Sequence, residues 1–346
     1  MIVSTIKIKK PGPLTTVQDK GRYGYQKFGM PVAGVMDGFS FKMANLLLGN
    51  GANDAVLEFT FQGPEIEFTE DNIIAITGAN AQPKINGRKV SMWRTLYVTK
   101  GSLLSFSGLK SGFRGYIAFK GGIDLPQVMG SRSTYLRGSI GGYEGRKLKE
   151  GDLLKTDFSV DKQPSFKVRR LPDIYIPQYK DKKIRVIMGP QDDYFTAKGI
   201  KQFLTEEYRI TSQADRMGYR LKGPVIEHKK GADIISDGIA PGAIQVPGHG
   251  NPIIMLADRQ TTGGYTKIAS VISVDLNKLV QMKPGRKICF EKISIEKAHK
   301  LLEKQNKISD QIKETDVRYG SSKKFKIRVN GQEFETELKE IIEGEK

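Results

Sequence analysis

Five consecutive polar side chains, Asp258, Arg259, Gln260, Thr261 and Thr262, follow directly on the apolar run Ile253-Ile254-Met255-Leu256-Ala257 and precede Gly263-Gly264-Tyr265. A short continuous apolar run is the signature of a strand buried on both faces. Polar groups at the end of such a strand are expensive to place unless they bond each other or a ligand. Two readings stand side by side here: a polar strand end satisfied internally, or the wall of a binding site. The cluster lies in the densest polar and glycine patch of the chain, Ser236 to Leu276, which also holds Gln245. It is preceded by Gly248-His249-Gly250-Asn251-Pro252, a tight loop because glycine reaches positive φ and proline fixes the exit angle.

Arginines set among glycines recur elsewhere. Asp19 and Arg22-Tyr23-Gly24-Tyr25 form one glycine-rich loop, and Asp215 with Arg216-Met217-Gly218-Tyr219 forms another. Downstream, Gly63-Pro64-Glu65-Ile66-Glu67 echoes Gly223-Pro224-Val225-Ile226-Glu227, with Ile73-Ile74 and Ile234-Ile235 following. The pattern predicts two related β-rich units, each contributing an R-x-G-Y loop, the first enlarged by an insertion; chance similarity in a glycine-rich chain is the rival. A third segment, Gly130 to Gly145, mixes arginines, glycines and hydroxyls. It reads as an ordered surface loop or as a carboxylate or phosphate site.

The elements that must position these residues are mostly strands. Ile2–Lys9 alternates, Pro11-Gly12-Pro13 breaks it, and strand runs follow from Ala55 to Phe119, with turns at Asn86-Gly87 and Gly121-Gly122. Asp37 is placed to cap a helix that ends at Gly49, and Ser294 to cap another carrying Ile295, Ala298, Leu301 and Leu302. A third helix is expected from Asp193 to Phe203. The fold class is therefore mainly β with a few helices. The boundaries read as a first β-rich subdomain over 1–155, a charged, proline-bearing linker over 156–183, a second subdomain over 184–305, and a tail over 306–346. In that tail, Phe325–Val329, Asn330-Gly331 and Glu333–Leu338 are a strong hairpin signal. The hairpin resembles the opening of a biotinyl-carrier domain but lacks the Met-Lys-Met attachment site. It is expected to dock on the body or on a partner strand.

Composition removes several function classes. The 56 basic and 38 acidic residues give a net charge of +18, yet no basic run is interleaved with aromatics as a stacking platform requires. A solvated surface and a preference for anionic substrates fit better than nucleic acid. The single cysteine, Cys289, reads as a buried core thiol. His228, His249 and His299 are too dispersed for a metal pattern. No apolar run approaches a membrane span, and no leader is evident, so the expected compartment is the cytoplasm. No phosphate-binding loop, kinase signature, dinucleotide fingerprint or G-x-S-x-G elbow is present.

Several motifs together resemble one family. They are Pro13-Leu14-Thr15-Thr16-Val17-Gln18-Asp19 with Gly21-Arg22, Met36-Asp37 with Ala44-Asn45, Leu57-Glu58 with Gly63-Pro64, Gly130-Ser131-Arg132-Ser133-Thr134, Ser212 through Pro224, and the Ser236–Leu276 stretch. The chain resembles the biotin-dependent carboxyltransferase / allophanate hydrolase subunit 2 family over roughly residues 1 to 300. That family includes the C-type component of 5-oxoprolinase and KipA-type antagonists of a histidine-kinase inhibitor. The resemblance implies two cyclophilin-like β-barrel subdomains. It implies as partners a subunit 1-type protein (the B-type component of 5-oxoprolinase, KipI-like) and the A-type component of 5-oxoprolinase. Together these would open 5-oxoproline to glutamate at the expense of ATP. ATP would be used by the complex and not by a recognisable motif of this chain, and biotin would not be attached to it.

On that reading negative charge builds on a lactam oxygen and needs preorganised donors. Arg259, Gln260, Thr261, Thr262 and the Gly263 and Gly264 amides would surround it, with Gln245 and Tyr265 lining the site. Arg216 or Arg22, with Asp19 nearby, would hold the substrate carboxylate. Asp258 would orient Arg259 or act as a base, and His249 would be an acid/base candidate. Two rival roles follow from the same resemblance: a non-catalytic regulator of the KipA type, and a carboxyl-transfer protein served by a separate biotin carrier.

Overall fold

The computed structural model describes residues 3–159, 166–329 and 332–343. In the first half, Val3–Lys10 turns Ile6 and Ile8 inward and its lysines outward, and pairs antiparallel with Leu153–Ser159 on one side and Glu65–Phe68 on the other. These strands belong to a seven-stranded sheet that faces a five-stranded one, ordered Leu14–Gln18, Val56–Thr60, Ser111–Phe119, Asn72–Asn80 and Thr95–Val98. Ile6, Ile66 and Phe68 from one sheet meet Leu57, Phe59 and Ile76 from the other in a single fully buried core. Helix α1 (Gly38–Leu48) covers the outer face of the five-stranded sheet through Phe41, Ala44 and Leu47. Its caps are those expected: Asp37 Oδ1 accepts from the Ser40 amide at 2.9 Å, and Gly49 ends it in the left-handed conformation.

The second half is a closed seven-stranded barrel. Lys183–Met188 pairs antiparallel with Lys267–Val271 and parallel with Lys287–Lys292, and that parallel pair closes the circle. Ile184, Tyr208, Tyr219, Ile244, Ile254 and Ile268 fill it. The fold is mainly β with a few helices, as expected; the first half encloses its core with two packed sheets and the second with one closed one. Four α-helices occur among the described residues: α1, α2 (Ala197–Thr205), α3 (Ser273–Leu279) and α4 (Ile295–Asn306).

The two R-x-G-Y loops occupy corresponding places. Leu14–Gln18 pairs antiparallel with Val56–Thr60, and their connection holds Arg22 and α1; Tyr208–Ile210 pairs antiparallel with Gly218–Lys222, and their connection holds Arg216. The downstream echo persists only in part: Ile66 and Ile226 are both wholly buried, but the Ile-Ile pairs differ. Ile74 is wholly buried in a central strand, whereas Ile235 is 94% exposed on a two-stranded ribbon of Asp233–Gly238 with Thr262–Tyr265.

Other expectations are corrected. The helix expected from Asp193 starts at Ala197, because Asp192–Tyr194 forms a 3-10 turn and the Thr196 hydroxyl caps α2 through the Gly199 amide. Helix α3 forms although Ile272-Ser273-Val274-Asp275-Leu276 alternates like a strand. Asp275 there binds the Arg185 guanidinium and amide, a tertiary demand that overrides β-propensity. Cys289 is only half-buried, on the outward side of its strand between the buried Ile288 and Phe290. The stretch read as a linker begins inside Leu153–Ser159 and contains Phe166–Arg170, which pairs antiparallel with Lys313–Val329. The tail hairpin, Lys313–Val329 with Gln332–Glu343, thus docks through that strand; its Asn330-Gly331 turn lies outside the described residues.

Candidate active site

Arg216 lies at the seam between the halves, 5% exposed. Its Nε and Nη2 donate to the two oxygens of Asp258 at 3.1 and 3.0 Å, its Nη1 donates to Glu58, and Nη2 also reaches the Gly34 carbonyl. Burial by itself lowers the pKa of the Arg216 guanidinium, but Asp258 and Glu58 outweigh it and hold the group above its ordinary value. Glu58 is satisfied on its other oxygen by the Met36 amide at 2.8 Å and the Tyr116 hydroxyl at 2.9 Å. The network continues through the Asp37 amide to Tyr116, from Gln281 Nε2 to Asp37 at 2.8 Å, and from Gln281 Nε2 to the Arg114 carbonyl. Every guanidinium nitrogen of Arg216 therefore serves the protein, and so do both carboxylate oxygens of Asp258. This is a clasp that fixes the loops, and it leaves Arg216 no free edge to grip a substrate carboxylate.

The Arg22 loop is built the opposite way. Asp19 is fully buried and is saturated by the Gly21 and Arg132 amides and the Ser131 and Ser133 hydroxyls. The segment from Gly130 to Gly145 is thus a brace: it turns its hydroxyls onto Asp19 and the Ser133 carbonyl onto Arg22 Nη2. Gly141 is required there, for a Cβ would stand 2.4 Å from Arg22 Nη2 and the residue has φ +66°. Arg22 is completely buried, has no ion pair among the described residues, and its Nη1 has no hydrogen-bond partner among them. Burial lowers its pKa, with Asp19 and Asp258 offsetting only part of that. Asp258 therefore lies within electrostatic reach of Arg22, and the polar strand end faces the first loop across the seam.

Arg259 is 8% exposed and also lacks a carboxylate partner among the described residues. Its Nε donates to the Ile239 carbonyl at 2.8 Å and Nη1 to the Leu256 carbonyl at 3.1 Å, while Nη2 has no acceptor among them. Burial lowers its pKa, offset in part by the nearby Tyr23 hydroxyl. Beside it, Gln245 is 2% exposed with an unpaired Nε2, and Gln260 has a buried, unpaired Oε1. Both amides converge on Gly263, where a Cβ would come 2.9 Å from Gln245 Nε2 and 3.5 Å from Gln260 Nε2. Gln18, on the Arg22 side, likewise leaves Oε1 unpaired.

Two buried guanidinium groups without an ion pair among the described residues thus lie on the loops that face each other across the seam, Arg259 with the orphaned Gln245 and Gln260 amides near it and Arg22 with Gln18 on its own side. Thr261 is half-buried, Thr262 and Tyr265 are exposed, and Gly263 and Gly264 lie in the ribbon strand beside them. His249 is not brought to this cluster: it is exposed, bonded only locally to Asn251, and precedes the strand Ile253–Met255 that Arg259 follows. Sequence reading missed Glu58, Tyr116 and Gln18 as partners. The available signal was polar residues set within short strand runs, Thr16 and Gln18 in Leu14–Gln18 and Glu58 in Val56–Thr60; the structure leaves each at most 2% exposed.

Residues 28–292 match the family described as carboxyltransferase domain, subdomain A and B. The chain belongs to this family. Among its carboxyltransferase-domain relatives, the 5-oxoprolinase C subunit of Escherichia coli (strain K12) is 37% identical over 308 residues, covering 89% of this chain and 97% of that one. The urea amidolyase of Saccharomyces cerevisiae is 35% identical over 324 residues, covering 88% of this chain but 17% of its own length. The crystal structure of the Kluyveromyces lactis urea carboxylase superposes with a TM-score of 0.83 at 30% identity, over 92% of this chain and 32% of that one. The chain thus spans nearly the whole of the 5-oxoprolinase relative and only part of the larger enzymes. No helix among the described residues is long and apolar enough to cross a membrane.

Proposed function

We propose that this chain is the C-type component of an ATP-dependent 5-oxoprolinase and acts with partner proteins of the A and B types. The observation that carries the catalytic part is the pair of buried guanidinium groups, Arg22 and Arg259, that have no carboxylate of their own among the described residues. Leaving a cation unpaired in a low-dielectric site is costly, and the cost is offset when an anion arrives. Near-complete coverage of the E. coli relative supports the choice of substrate class.

In this reading Arg259 Nη2 and the Gln245 amide point donors at the lactam oxygen of 5-oxoproline or at a phosphorylated form of it. Arg22 adds positive potential from behind. Opening the ring breaks the lactam C–N bond, water supplies the new carboxylate oxygen, and the leaving nitrogen takes up a proton. The chain's part is to stabilise the oxygen that gains charge, since fixed donors cost no reorganisation as the reaction proceeds. Asp258 is a positioning residue, fixing the loop through Arg216. The nucleotide would be held largely by another chain of the complex.

The test is reconstitution with the A- and B-type partners and an assay of 5-oxoproline-dependent ATP hydrolysis, with Arg259→Ala as the diagnostic variant. Loss of turnover with assembly and folding intact is expected; unchanged turnover removes the site. A second reading, carboxyl transfer to an amide or urea, is supported by the likeness to urea carboxylase. Biotin-dependent carboxylation in the same preparation, without lactam hydrolysis, would select it.

A further inference from the structure

A groove of about 1320 Å3 runs where the two halves and the segment between them meet, and it shares no residue with the Arg22–Arg259 cluster. Its floor is apolar, with Trp93 and Met282 only 4% and 3% exposed and Phe106 beside them. Its rim carries five exposed cations, Lys89, Lys110, Lys180, Lys283 and Arg286, against one carboxylate, Asp173. None of the five has a carboxylate of the described residues within ion-pair distance. Elsewhere on the surface, Lys10, Lys100 and Lys182 each pair with a glutamate at 2.5 to 2.8 Å. The rim is thus a place where cations collect without their counterions.

The volume decides between classes of occupant. Small-molecule sites run to about 300–1,000 Å3, so this groove is larger than such a ligand needs. Cations along a rim and apolar surface between them match an extended segment whose carboxylates alternate with apolar side chains. We propose that this groove is a docking site for an acidic, apolar-bearing peptide segment of a protein partner. The site is independent of the proposed reaction: it uses neither Arg22 nor Arg259.

The test uses the full chain and a fluorescein-labelled peptide of alternating glutamate and leucine, about eight residues or roughly 26 Å when extended, read by fluorescence anisotropy. Lys110→Glu with Lys283→Glu reverses charge in the groove; Lys198→Glu with Lys201→Glu makes the same change in net charge on α2, away from it. The groove pair should weaken binding at least about tenfold and the α2 pair by less than about twofold. A peptide with glutamine in place of glutamate should bind at least about tenfold more weakly than the acidic one. Equal weakening by both pairs, or undiminished binding of the glutamine peptide, would overturn the proposal. Displacement of the peptide by an equal concentration of single-stranded DNA or of ATP would also overturn it. All four lysines are exposed, so folding should survive; should either glutamate pair fail to melt like the wild type, the glutamine pairs replace them.

Discussion

Arg216 and Arg259 are buried guanidinium groups on two loops that meet at one seam, yet they are built to opposite ends. Arg216 faces two carboxylates and a carbonyl. Arg259 faces two carbonyls and no carboxylate among the described residues. A buried cation with its counterions in place is a structural part. One without them is a place for an anion, provided the surroundings hold it rigidly. The same contrast separates the two R-x-G-Y loops: Arg22, like Arg259, has no ion pair among the described residues, and Arg216 has two. The Arg216 loop is thus a clasp, while the Arg22 loop leaves its buried guanidinium without an ion pair among the described residues.

The largest expected effect tests the clasp. Arg216→Ala leaves Glu58 and Asp258 buried without their cation and should cost about 3–5 kcal/mol of stability, measured as a shift in the urea unfolding midpoint of the full chain. A loss under about 1 kcal/mol would mean the clasp is dispensable and would erase the contrast with Arg259. Arg259→Ala should behave in reverse. It frees only two backbone acceptors, so stability should fall by about 1–2 kcal/mol, while turnover of the reconstituted complex should fall by about 10²–10³-fold. Equal effects of the two variants on stability and turnover would show that both arginines are structural.

A smaller change sharpens the recognition side. A Cβ at Gly263 would stand 2.7 Å from Ile239 Cδ1 and 2.9 Å from Gln245 Nε2. Gly263→Ala should therefore push the Gln245 amide off its line and lower turnover by about tenfold, or about 1.4 kcal/mol. The unfolding midpoint should stay nearly unchanged, because the ribbon lies at the surface. Unaltered turnover would take Gln245 out of the site.

How much of this contrast can be read without coordinates depends on the range of the interactions. Helix α1 is legible from Asp37 to Gly49 because its start and stop signals lie within one or two residues of its ends. The polar cluster after Ile253–Ala257 is legible because the expense of burying such groups is a property of composition. What separates Arg216 from Arg259 is not legible, because the partner of Arg216, Glu58, lies 158 residues away in the other half. Only its place inside a strand of buried residues hinted that it needed a cation. The orphaned atoms of Gln18, Gln245 and Gln260 are invisible for the same reason, since an unpaired atom is defined by everything that fails to reach it. Helix α3 is hidden because a local alternation loses to the pull of Arg185 on Asp275.

The smallest effect probes the far end of the clasp. Asp37 is buried beneath Tyr116 and Gln281, and burial raises its carboxyl above the ordinary value of 3.8, with the Ser40 and Gln281 hydrogen bonds opposing. As pH rises, the unfolded chain releases this proton first, and the folded chain holds it longer. Above the folded value the ionised group must be kept buried, so stability conferred at lower pH is lost as pH rises through that value. Asp37→Asn has no such proton to release. The wild type should therefore lose stability relative to Asp37→Asn as pH rises above the ordinary value of 3.8, measured as the difference in urea midpoints with rising pH. A difference that stays flat would mean that the three hydrogen bonds to Asp37 cancel its burial. A difference of opposite sign would make Asp37 an anchor of the clasp in its ionised form.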